Sequence, residues 1–99
     1  MEISAVGAQE LAISGIVKTI DDSTLLRNTI QRMYEAGAAS ITLKFTDSFA
    51  LPSAVIGYLM KLVNRDHVRL TLLAGDQRLV DLLDELQLSE TFGVKRLSR

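Results

Sequence analysis

The sequence has no cysteine and no tryptophan, one proline and one histidine. Without cysteine there is no disulfide framework, no thiolate zinc site and no cysteine nucleophile. The lone histidine, His67, has no second ligand nearby in sequence and reads as a solvated loop residue. Charge of one sign is also lacking, because 11 basic and 12 acidic residues leave a net charge of −1. Electrostatic binding to nucleic acid needs a basic excess, and none is present. No apolar run approaches the ~20 residues that span a bilayer, which argues against direct membrane insertion. Met1-Glu2-Ile3-Ser4 lacks the basic start and apolar run of a signal peptide, so a cytoplasmic location is expected by default. The sequence shows no Ser-His-Asp set, no metal-ligand cluster and no glycine-rich phosphate loop. Gly75-Asp76-Gln77 reads as a turn and lacks the lysine of such a loop. The expectation is a protein that is not an enzyme and uses no cofactor or metal.

What is present suits one folded domain over residues 1–99. Hydrophobic residues make up 47% and charged residues 23%, a balance that favours a packed core over disorder. The most informative stretch runs from Ile41 to Val63. Ile41, Leu43 and Phe45 alternate with Thr42 and Lys44, which predicts a strand with one apolar side. Thr46 to Ala50 is then a loop. Pro52 suits the first turn of a helix, where its missing N–H is not needed. Val55, Ile56, Leu59, Met60 and Val63 draw the inward stripe of that helix.

The other elements fall around this unit. Ile3 and Ala5, a turn at Gly7-Ala8-Gln9, and Leu11-Ala12-Ile13-Ser14 predict a first hairpin, with Ile16 and Val17 continuing its second strand. Gly15 marks a bulge or a close backbone contact. Asp21-Asp22-Ser23-Thr24 is a helix start signal, followed by Leu25, Leu26, Ile30, Met33 and Tyr34 on one face and Gly37 past the end. Asn64 to His67 is a polar connection. Val68, Leu70, Leu72 and Leu73 predict another strand. The next helix carries Leu79, Val80, Leu82, Leu83 and Leu86 inward, and Val94 and Leu97 suggest a short last strand. The fold class expected is α/β, a mixed sheet of four to five strands packed with about three main helices. The hairpin supplies the antiparallel pair and the crossovers the parallel pairs. The tail Lys95 to Arg99 reads as a frayed basic end. The edge strands near Ile3 and Val94 could pair two copies into a homodimer.

This order resembles the STAS domain, named for sulfate transporters and anti-sigma-factor antagonists, over nearly the whole chain. Leu11-Ala12-Ile13-Ser14-Gly15-Ile16-Val17 is similar to the family's opening strand. Leu43-Lys44-Phe45 and Leu51-Pro52-Ser53-Ala54-Val55-Ile56-Gly57 are similar to its Leu-Asp-Leu strand and its Ile-Asp-Ser-Ser-Gly-Leu-Gly signature. Leu86 to Val94 is similar to its Gly-Leu-x-x-x-Phe-x-Val ending. The resemblance implies a regulatory domain that docks a protein partner, an anti-sigma factor or a switch kinase, through the loop and helix over residues 47–58. A second role it implies is that of accessory subunit in a phospholipid-transport ABC complex, docking an ATPase subunit. Within the family a serine before the signature glycine accepts phosphate. With Gly57 on the second signature glycine, Ala54 takes the acceptor position, Pro52 replaces the nearby Asp and Val55 the first glycine. Shifting by one residue makes Ser53 the acceptor but leaves Gly57 without its counterpart, so the first register, in which Ile56-Gly57 reproduces Leu-Gly, is preferred. Lys44 replaces the Asp of the strand, so both usual acids are missing.

Ser53 is therefore the phosphoacceptor candidate, with Ser48 second. At a helix start a phosphate would meet free N–H groups and the positive end of the dipole. The plainer alternative is that Ser53 only caps that turn. The partner-binding candidates are Asp47, Ser48, Phe49, Ala50, Leu51, Ala54, Gly57 and Tyr58. Phe49, Ala50 and Leu51 form an apolar loop patch of the kind that docks a partner, although Phe49 could equally fold over the core. Gly57 inside a helix costs up to about 1 kcal/mol relative to alanine. Internal packing is the first explanation for it and close approach by a partner the second. Asp21, Asp22 and Asp47 also suggest the acids of a phosphoacceptor receiver domain. Three strand–helix units are too few for that fold, and capping accounts for Asp21 and Asp22.

Overall fold

Alternation of apolar and polar residues produces one buried sheet face and one open one. The computed structural model describes residues 1–97. The chain runs β1 (Glu2–Gly7), β2 (Glu10–Ser14), α1 (Ile20–Glu35), β3 (Ser40–Phe45), α2 (Ser53–Asn64), β4 (Arg69–Ala74), α3 (Gln77–Glu85) and β5 (Val94–Arg96). The five strands lie in sequence order, β1-β2-β3-β4-β5. β1 and β2 are antiparallel, and the other three pairings are parallel. This is the mixed α/β sheet with three helices that the patterning predicts.

Each crossover steps to the next strand in the same direction. Right-handed connections then put all three helices on one face. The register agrees with that arrangement. Leu11, Leu43 and Leu72 stand side by side, as do Ile13, Phe45 and Ala74, and every one of them is buried. The alternate residues Ala12, Thr42, Lys44, Thr71 and Leu73 are only half-buried, on the open face. From above, α1 contributes Leu26 and Ile30, α2 contributes Val55, Leu59 and Leu62, and α3 contributes Leu79 and Leu83. Each such side chain, fully buried, is worth about 1.5–3 kcal/mol relative to exposure.

Several sequence expectations are corrected here. Ile16 and Val17 do not continue β2. Gly15 has φ +78° and turns the chain away, and a Cβ there would lie 3.2 Å from the Met1 backbone. Val17 still reaches the core, whereas Ile16 is exposed. The cap of α1 is Thr19. Its hydroxyl accepts from Asp22 N–H at 3.0 Å while the Asp22 carboxylate accepts from Thr19 N–H at 3.3 Å, a reciprocal capping box. The helix therefore begins at Ile20, one residue before Asp21. Ser23 is buried and Leu25 is half exposed. Pro52 is the cap residue of α2 and not within its first turn. Along α2, Met60 faces outward and Leu62 inward. Leu86 lies past the end of α3 and is exposed, while Leu88 and Phe92 fill the core in its place. Lys95 and Arg96 are not a frayed end but residues of β5 paired with β4. Ser98 and Arg99 lie outside the described residues.

Candidate functional site

Parallel strands that end on one side bring their following loops together, and loops held by a rigid scaffold often carry binding residues. Here the edge gathers residues 15–19 after β2, residues 46–52 after β3, and Gly75-Asp76 after β4. The central loop is clamped to its neighbours by polar contacts. The Asp47 carboxylate accepts from Gly15 N–H at 2.9 Å. The Ser48 hydroxyl donates to the Gly15 carbonyl at 3.2 Å, and Thr46 N–H and hydroxyl both donate to the Ile13 carbonyl. On the other side Gly75 N–H donates to the Phe45 carbonyl at 2.8 Å.

These contacts sort the candidate residues. Ser48 is wholly buried with its hydroxyl engaged, so it offers neither an accessible phosphoacceptor nor a contact surface. Leu51 is likewise part of the core and drops out of the docking patch. Folding a loop over a sheet edge leaves polar groups to satisfy, and Ser48 satisfies one of them from inside. Asp47 is exposed, but its carboxylate is committed to the loop. Phe49 projects outward at 40% exposure, and Ala50 is half-buried. Ser53 is the first residue of α2 and is exposed, as are Ala54 and Gly57.

Gly57 overturns the expectation of internal packing. Nothing lies within 4 Å of the position a Cβ would occupy. Tyr58 is half-buried and tied inward. Its hydroxyl donates to Gln31 of α1 at 2.7 Å, and the Lys61 ammonium lies 5.6 Å from its ring centre. Burial first, and the Asp66 charge second, raise its pKa above the ordinary tyrosine value.

Phe49 does not stand alone. The Arg78 guanidinium sits 4.7 Å from its ring centre, a cation–π contact. Arg78 is itself held by Asp76 through Nε at 3.1 Å and Nη2 at 2.7 Å. Asp76 also caps α3 by accepting from Arg78 N–H at 2.8 Å. These bonds, the Arg78 side chain first and its backbone N–H second, lower the Asp76 pKa to about 2. The unfolded value is about 3.9. A lowered carboxylate pKa stabilises the fold above about pH 4, and that contribution is lost as pH falls toward 2. In thermal melts, Asp76→Asn is therefore expected to be less stable than wild type at pH 7, with the gap narrowing steadily between about pH 5 and pH 2. A gap independent of pH would remove the charge from this account.

The same edge carries residues that the pattern reading passed over. Ile20 is 85% exposed at the first position of α1, and Ile16 projects nearby in sequence from the preceding loop. The Thr19-x-x-Asp22 spacing contains the signal that places Ile20 outside the core. Arg78 had no comparable signal, since its partners lie in a turn and a separate loop. Among the described residues no group of three His, Cys, Asp or Glu is arranged to hold a metal ion, and no helix is long and apolar enough to cross a membrane. No family model, curated protein or solved structure matches this chain.

Proposed function

We propose that this chain is a non-enzymatic regulatory module of the cytoplasm that docks a protein partner through the outward face of residues 47–58. The observation that carries this reading is Gly57. A glycine in mid-helix costs about 0.5–1 kcal/mol relative to alanine. No internal neighbour requires it, because the space over it is open. A local rule broken without an internal reason is characteristic of a functional site. Ser53, Ala54 and Gly57 keep this face of α2 low, exposed Met60 ends it, and exposed Phe49 stands at its start. A partner helix could approach such a face closely and use Phe49 and Met60 as anchors. The partner class that the STAS resemblance suggests is an anti-sigma factor or switch kinase. The five-strand order and the three helices are compatible with that resemblance.

The test is capture of the partner from the native host by the tagged full chain. Ala50→Asp and Gly57→Arg are each expected to abolish capture while leaving the melting temperature within a few degrees of wild type. Gly57→Arg enters open space, so it does not disturb the core. Unchanged capture by both variants would sink the proposal. Intact-mass and peptide mass analysis with and without phosphatase then reports whether Ser53, the accessible candidate hydroxyl, carries phosphate.

A further inference from the structure

A cleft of about 240 Å³ opens between the start of α1 and the start of α2. Lys18 and Arg27 line it. The ion pairs among the described residues are Lys61–Asp66 and Arg78–Asp76, so neither cleft cation has a carboxylate at salt-bridge distance. The nearby Asp22 carboxylate is turned to the backbone N–H groups of Lys18 and Thr19.

Ser23 also lines the cleft, and its side chain is unexplained by the fold. It is nine-tenths buried, at 9% exposure, on a helix face otherwise given to Leu26 and Ile30. Its hydroxyl has no hydrogen-bond partner among the described residues and is not sealed from the cleft. A hydroxyl open to the cleft and without a protein partner is free to bond whatever occupies the cleft. Opposite it, α2 begins without a side-chain cap. Val55 and Ile56 donate to the Pro52 carbonyl, which leaves the Ser53 and Ala54 N–H groups outside the helix's own bonding. Thr19, Thr24 and Ala54 also line the cleft, and Ile20 and Pro52 supply its apolar part.

We infer that this cleft binds a small phosphate monoester carrying a short apolar group. Its charge of about −1.5 to −2 matches two unpaired cations better than a carboxylate would. The phosphate oxygens accept from Ser23, from Thr24 and from the Ala54 N–H, between Lys18 and Arg27. The apolar group lies against Ile20 and Pro52. This site needs no partner protein, so it stands or falls separately from the docking proposal.

The experiment is a titration of the isotope-labelled full chain, followed by amide NMR shifts, at ionic strength held constant with sodium chloride. The probes are butyl phosphate and inorganic phosphate. Saturable shifts are expected at Ser23, Thr24, Ser53 and Ala54. Butyl phosphate should bind more tightly than inorganic phosphate by about fourfold per buried methylene. Arg27→Gln and Ser23→Ala should each weaken binding by about tenfold or more, since each removes a hydrogen bond to a charged group. Arg27 is exposed, so its variant keeps the fold, and unchanged spectra elsewhere verify this. Diffuse, unsaturable shifts, or equal affinity in wild type and Arg27→Gln, would overturn the site. Equal affinity for both probes would overturn the apolar contact.

Discussion

Phe92→Ala is expected to lower the folding stability by about 3–5 kcal/mol, the range for truncating a buried aromatic. Phe92 follows α3 in a tight turn, where its N–H donates to the Leu88 carbonyl at 2.9 Å, and its ring is wholly buried. The same turn bonds Val94 N–H to the Ser89 carbonyl at 2.8 Å, which leads directly into β5. The ring therefore fills the core and also fixes the strand that closes the sheet. Domains of this size have about 5–15 kcal/mol in total, so one truncation removes a large part of it. Urea denaturation measures the loss through the midpoint at unchanged slope. Phe49→Ala is the control. With its ring 40% exposed and one cation–π contact, it should stay within about 1 kcal/mol of wild type. Equal losses in the two variants would mean that Phe92 does not fill the core as described.

Gly75→Ala is expected to destabilise both the fold and the docking face. A Cβ at this position would stand 2.3 Å from the Thr46 carbonyl oxygen and 3.0 Å from its carbon. Both are backbone atoms, so no flexible side chain can yield. Either residues 46–52 move away or the Gly75 bond to the Phe45 carbonyl breaks. Overpacking of this kind costs about 1–3 kcal/mol. The consequence extends to the docking face, because Asp47 holds Gly15 N–H and Ser48 holds the Gly15 carbonyl. Hydrogen exchange at Gly15 should therefore accelerate in Gly75→Ala beyond what global destabilisation explains. Gly57→Ala supplies the opposite sign. It fills open space in mid-helix and should stabilise by about 0.5–1 kcal/mol. A destabilised Gly57→Ala would restore the internal-packing explanation for that glycine and weaken the docking proposal.

Several features of the site were legible before any coordinates. The strand ending at Phe45, the loop after it, and a helix beginning near Pro52 with Ser53 at its exposed start all follow from local pattern. The edge location of the candidate surface then follows from parallel topology. Three details were not legible. Ser48 is buried because its hydroxyl meets a carbonyl 33 residues earlier. Phe49 stays outside, covered on one side by Arg78 from α3. The Lys18–Arg27–Ser23 cleft exists only because the starts of α1 and α2 lie side by side.

The division between the two levels has a physical basis. Side-chain alternation and helical spacing are consequences of backbone geometry, so the sequence alone pointed to a mixed sheet of four to five strands, about three helices, the antiparallel hairpin and most of the core. Its composition determined that the core is built without disulfides. Exposure at the ends of elements depends on what the chain brings there from elsewhere. Tertiary structure alone decided that Leu51 is interior, that Leu25 and Leu86 are exterior, and that Gly57 faces open space. Leu25 turns outward because Leu26 and Ile30 set the inward face of α1, and Leu86 because α3 stops before it.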